Sequence, residues 1–217
     1  MDKEIVLIGV GHIFDIGTKI KNIISQEAPQ AIAIELDRRR LQALLNPVKK
    51  KGLNIYSLLS LSQAMMAKKF GVMAGNEMLA AIEFAKEKDM PLYYIDMDSY
   101  VVINKLWRKI KFKDKLKIIL SAFVSLFLSK KKIEKELDKL ENNGIIEEME
   151  KYFPELKKIL VDERNEYMVR NLLKIIEEHD KIVAVVGEGH VNGMENLLKD
   201  YVKVKCIHLK DYLDLNK

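Results

Sequence analysis

One seven-residue pattern occurs twice, and it limits what this chain can fold into. Val6-Leu7-Ile8-Gly9-Val10-Gly11-His12 near the start returns as Ala184-Val185-Val186-Gly187-Glu188-Gly189-His190 near the end. Each copy is an apolar run, then G-x-G-H, then a helical pattern. Apolar runs without alternation belong to strands buried on both faces, as in parallel sheets covered by helices. Residues 4–10, 31–35, 92–96 and 181–186 are four such runs and read as central strands. Residues 201–209 instead alternate Val202, Val204 and Cys206 with Lys203 and Lys205, the pattern of an edge strand with one wet face. Helical spacing over 18–27, 38–45 and 76–88 fills the connections. The expected fold is α/β, with a central, mostly parallel sheet of about five strands.

A length of 217 residues fits a single domain, 1–217. No strand pattern appears from 104 to 179, which predicts a large helical insertion before the penultimate strand. It holds a heptad-like stretch at 133–151, a turn at Asn142-Asn143-Gly144 and a helix over 154–178 that starts well at Pro154. Residues 53–75, rich in Leu, Met and Ala, also read as largely helical. The 48% apolar and 32% charged composition excludes collagen-like, disulfide-scaffold and disordered chains, and the lone Cys206 has no internal partner for a disulfide. The first residues lack a signal-peptide pattern, so a cytoplasmic location is expected.

The net charge of +5 is concentrated between 105 and 135, where Lys105, Arg108, Lys109 and eight further lysines face only Asp114 and Glu134. They flank the apolar run 118–128, which is shorter than the roughly 20 residues of a bilayer span. The segment suits peripheral contact with an anionic membrane or a partner; the plain alternative is a buried helix with solvated ends. No nucleic-acid module accompanies it, and nucleic acid is not an expected partner.

Ligands of open α/β sheets sit beyond the carboxyl ends of the strands. Here those ends carry His12, Glu35 with Asp37, Asp96 with Asp98, and Glu188 with His190. Two imidazoles and several carboxylates on one edge are the ingredients of a divalent metal site. A single histidine after a strand is usually a hydrogen-bonded loop residue; the repeated setting is what argues for more. Gly9, Gly11, Gly187 and Gly189 frame the turns and make room for a cofactor. A dinucleotide site is the rival reading, since Glu35 lies near where an acid meets a ribose. However, Phe14 occupies the third glycine position of G-x-G-x-x-G. No P-loop occurs. In the insertion, Asp162 through Met168 is a charge-rich helical stretch with Arg164 and Met168 on one face, which by composition alone reads as a solvated helix.

Together these residues resemble the TraB/PrgY/GumN proteins, which include pheromone-shutdown proteins and the Tiki proteases. The resemblance rests on Gly9-Val10-Gly11-His12, Pro29 through Leu44 with Glu35-Leu36-Asp37-x-x-Arg40, Gly75-x-Glu77, Asp96-Met97-Asp98, Glu163-Arg164-Asn165-Glu166-Tyr167-Met168 and Val185 through Gly193. It implies a fold like the erythromycin-esterase and ChaN-like group. For the Tiki branch it implies a protease favouring manganese or cobalt, centred on His12, His190 and Glu35. Glu163 and Arg164 match the family's Glu-Arg-Asp helix. Two positions depart: Met97 replaces the usual Arg, and Asn165 the usual Asp.

The expectation is a metal-dependent hydrolase acting on peptides. His12, His190, Glu35 and Asp96 or Asp98 would hold Mn²⁺, Co²⁺ or Zn²⁺, Glu188 or Glu163 would act as general base, and Arg164 would meet an oxyanion or substrate carboxylate. The alternative is a non-catalytic protein that sequesters a peptide or a cofactor, such as haem held by one imidazole.

Overall fold

The computed structural model describes residues 3–11, 16–45, 76–109, 150–151 and 154–213. Five strands form one sheet: β1 Glu4–Val10, β2 Ala31–Ile34, β3 Leu92–Tyr94, β4 Lys181–Gly187 and β5 Lys203–Ile207. Their order is β3-β2-β4-β1-β5, and every pairing is parallel. The two copies of the pattern therefore lie side by side, with Gly9 opposite Val186 and Val10 opposite Gly187. β4 and β1 have neighbours on both sides, which is why their runs carry no polar alternation.

Strand side chains alternate between two cores. Val6, Ile8, Val10, Ile32, Ile34, Val183 and Val185 face one side, against helices α1 (Gly17–Glu27) and α3 (Asn76–Glu87). α2 (Arg38–Leu45) precedes α3, and α4 (Ser99–Lys109) follows β3. On the other side, Ile5, Leu7, Ala31, Ala33, Ile182, Ala184 and Val186 meet two helices. These are α6 (Glu163–Ile175), through Met168 and Leu172, and α7 (Glu188–Leu198), through Val191, Met194 and Leu198. Three alanines on that side leave space for the large residues of α6 and α7.

α1 leaves β1 toward the first core and α7 leaves β4 toward the second. The crevice between the carboxyl ends of β1 and β4 is thus a topological switch point, where open sheets bind ligands.

Two expectations need correction. The run at 92–96 is not a central strand: β3 lies at the edge and stops at Tyr94, half-buried along its length. The helix expected over 154–178 is α5 (Pro154–Lys157), a π turn (Lys158–Asp162) and then α6. The Glu163 N–H closes the π turn on the Lys158 carbonyl. β5 is the other edge strand, as its alternation predicts. Among the described residues no strand lies between 104 and 179, and no helix is long and apolar enough to cross a membrane. The expected helix over 53–75, the turn at 142–144, most of 133–151 and the basic segment beyond Lys109 lie outside the described residues.

Candidate functional site

At the carboxyl edge, β2 delivers Glu35 and the end of β3 delivers Asp96, both buried. Buried carboxylates need partners, and two arginines supply them. The Arg164 Nε donates to Asp96 Oδ1 at 3.0 Å, while its Nη2 donates to Asp96 Oδ2 at 2.8 Å and to Glu35 Oε1. Arg164 Nη1 donates to the Leu160 carbonyl within the π turn at 3.1 Å, so that turn aims the guanidinium inward. Burial opposes the Arg164 charge, but Glu35 and Asp96 outweigh it and raise its pKa above the ordinary arginine value. Arg40 from α2 reaches Asp96 Oδ2 from the other side and pairs with Asp37 Oδ2 at 2.8 Å. Asp37 also caps α2, accepting the Arg39 and Arg40 N–H groups at 2.9 and 3.0 Å. Burial raises the Asp37 pKa, yet the Arg40 N–H and guanidinium hold it below the usual carboxylate range.

His190 sits in the first turn of α7. Its Nδ1 lies 2.6 Å from Asn165 Oδ1, and its Nε2 lies 3.5 Å from Glu35 Oε1. A carboxamide oxygen only accepts, so with the amide oriented this way Nδ1 carries a proton and Nε2 is the ring atom that faces Glu35. Asn165 is buried, and a Cβ at Gly193 would overlap its Nδ2, so glycine at 193 makes the approach of α6 to α7 feasible. The other Glu35 oxygen accepts the Gly187 N–H at 2.6 Å, locking the acid to the second G-x-G-H turn.

Two ligands of a tetrahedral ion with bonds of about 2.1 Å stand roughly 3.4 Å apart. The 3.5 Å between His190 Nε2 and Glu35 Oε1 fits that spacing. Both acids are already engaged: Glu35 Oε1 accepts from Arg164 Nη2, whereas Asp96 is held more fully, with Oδ2 accepting from Arg40 and Arg164 and Oδ1 from Arg164 and from the Met97 N–H at 2.7 Å. Among the described residues no three His, Cys, Asp or Glu side chains gather in the manner of an ion site. His12 lies outside the described residues; Gly11, which precedes it, follows β1 directly.

The remaining sequence candidates are placed apart from this pair. Glu163 forms an ion pair with Lys105 Nζ at 2.5 Å and lines a separate cavity with Asp162 and Glu166. Glu188 turns the other way: Oε1 lies 2.6 Å from His208 Nδ1, and Oε2 accepts the Leu209 N–H at 2.9 Å. A Cβ at Gly9 would overlap the Glu188 carboxylate, so the bare backbone of β1 is the floor on which that acid lies. Gly189 is exposed on α7, and Asp98 pairs with Arg39 at 3.1 Å. Arg164 is committed to two carboxylates and a carbonyl and so forms a clamp.

Sequence reasoning gave no role to Asn165, Arg40 or His208. His208 had a usable signal, because it directly follows a strand, as His12 and His190 follow a G-x-G turn.

The class is thus an open, doubly wound α/β protein with a buried acid–arginine–imidazole cluster at its switch point. The chain belongs to the TraB/PrgY/gumN family, whose model matches residues 1–203. It is similar to an uncharacterized protein of Methanocaldococcus jannaschii, 33% identical over 235 aligned positions that cover 99% of this chain. The chain spans 58% of the length of that relative.

Proposed function

We propose that the protein is a metal-dependent hydrolase that cleaves peptides. The observation that carries this reading is the buried His190, its Nδ1 on Asn165 and its Nε2 3.5 Å from Glu35 Oε1 at the switch point. His190 and Glu35, with His12 from the first G-x-G-H copy, would hold Mn²⁺, Co²⁺ or Zn²⁺. Such an ion, when bound, supplies Lewis acidity that polarises a carbonyl and brings the pKa of water toward about 7.

The chain's own residues prepare the site. Asn165 holds the His190 ring in one tautomer, the role that outer partners play for metal-binding histidines. The Gly187 N–H and Arg164 fix both Glu35 oxygens, and Asp96 with Arg40 fixes Arg164 in turn. Three carboxylates, Glu35, Asp37 and Asp96, against two guanidiniums leave about one negative charge, which favours a cation at this edge.

The test compares wild type with His190→Ala and Glu35→Gln. Metal content after dialysis against Mn²⁺, Co²⁺ or Zn²⁺ is measured together with cleavage of a peptide library. Stoichiometric metal and metal-stimulated cleavage in wild type, both lost in the variants with circular dichroism unchanged, are expected. Wild-type protein that binds no ion, or cleavage that survives either substitution, would overturn the reading.

A further inference from the structure

The edge that holds His190 carries a second imidazole, set in a different way. His208 follows β5, and β5 is separated from β4 by β1 alone. At about 4.8 Å per strand its backbone is roughly 10 Å from the end of β4. His208 Nδ1 faces the Glu188 carboxylate at 2.6 Å.

That carboxylate is itself immobilised. Its second oxygen accepts the Leu209 N–H, and the carboxylate lies over Gly9, where any Cβ would displace it. The His208 backbone N–H donates to Asp211 Oδ2 at 2.8 Å, which fixes the turn between β5 and helix α8 (Leu209–Leu213). Tyr212 of α8 donates its hydroxyl to the Gly9 carbonyl, pinning the helix across the end of β1. The His208 side chain is 24% exposed, and among the described residues nothing else bonds its ring. A carboxylate on Nδ1, with no hydrogen bond to Nε2 among the described residues, is the arrangement that orients an imidazole for proton transfer.

We propose that Glu188 and His208 form an acid–base dyad in which His208 is the proton-transfer residue and Glu188 its positioning residue. This rests on the hydrolase reading. His208 Nε2 takes a proton from the attacking water and returns it to the departing amine nitrogen as the carbon–nitrogen bond breaks. The water oxygen stays on the acyl carbon, so peptide and water give acid and amine with a neutral imidazole restored. The two histidines are thereby divided: His190, backed by a neutral carboxamide, serves as ligand, and His208, backed by a carboxylate, serves as base.

The test has two arms. In the first, His208→Gln and Glu188→Gln are assayed for Mn²⁺-stimulated peptide cleavage. His208→Gln is expected to lower kcat about 100-fold at unchanged KM and unchanged metal stoichiometry, with Glu188→Gln intermediate and imidazole restoring part of the rate to His208→Gly. Unchanged kcat in His208→Gln would overturn the proposal. The second arm needs no substrate: acylation of each histidine by diethyl pyrocarbonate is followed by mass spectrometry at pH 7. His208 should react several-fold faster than His179, whose Nε2 is engaged by Tyr93 at 2.9 Å, and its rate should change in Glu188→Gln while that of His179 does not. Equal rates, or no response to Glu188→Gln, would overturn the dyad. Should wild type cleave nothing, the hydrolase reading fails, and the acylation rates alone decide the pairing.

Discussion

The two edges of the sheet are both rich in charge, yet they use it differently. At the amino edge, Lys181 bridges Glu27 at 2.9 Å and Glu4 at 3.3 Å, Lys205 pairs with Glu27 at 2.6 Å, and Lys203 with Glu4 at 2.7 Å. The cations are lysines with solvated ends; Lys205 is half-exposed. At the carboxyl edge the cations are arginines and the acids Asp96 and Glu35 are almost wholly enclosed. Lysine, a mobile point charge, suffices to staple strand ends in water, whereas the planar fork of arginine can satisfy two fixed carboxylates at once. The amino edge closes the sheet, and the carboxyl edge holds a geometry.

Substitutions on each edge would sharpen that contrast. The largest effect is expected for Arg164→Met, which removes a buried guanidinium from both Glu35 and Asp96. A loss of about 3–5 kcal/mol in urea unfolding is expected, and a loss below 1 kcal/mol would mean that the partners left to the two acids satisfy the cluster without Arg164. Next comes Asn165→Leu, which removes the partner of His190 Nδ1. Mn²⁺ affinity by calorimetry should fall about 10–100-fold, and an unchanged affinity would deny Asn165 its role.

Asp37→Ala removes the cap of α2 and should cost about 0.5–2 kcal/mol. Its effect depends on pH. The folded-state pKa of Asp37 is depressed, so its stabilisation is full above the unfolded value of about 3.9 and is lost as pH falls through the lower folded value. Wild type and Asp37→Ala should therefore converge in stability in strong acid; a gap that persisted there would place the effect in packing. The smallest change is expected for Lys205→Met at the amino edge, under about 1 kcal/mol and shrinking with added salt.

Much of this arrangement was legible in the chain. Four apolar runs and one alternating run became the five strands because burial on two faces and burial on one leave different patterns. β3 misled, since Leu92, Tyr93 and Tyr94 are apolar enough for a central strand while half-buried at an edge, where Tyr93 spends its hydroxyl on His179. At the site, Glu35, Arg164 and His190 stood out as polar groups at strand ends or in family motifs, and they do converge. Asn165 was visible only as a departure from the family pattern and His208 not at all, because their partners, His190 and Glu188, are 25 and 20 residues away. Only the crossing of α6 over α7 and the bare Gly9 backbone join them. The same contacts explain why Glu188, beside His190 in sequence, points away from it.

The π turn carries a last consequence. An α-helix advances about 100° per residue, so one residue wedged into a turn resets the azimuth of everything after it. Were one residue removed from 158–162 with the wide turn kept, everything from Glu163 on would turn back by about 100°, so Asn165 would stand in the place of Arg164 and Glu166 in the place of Asn165. The turn thus acts as a phase adjuster: such a deletion would trade the arginine for a neutral amide at the heart of the cluster, bring an acid to the place of Asn165 beside His190, and leave the rest of the helix's composition untouched.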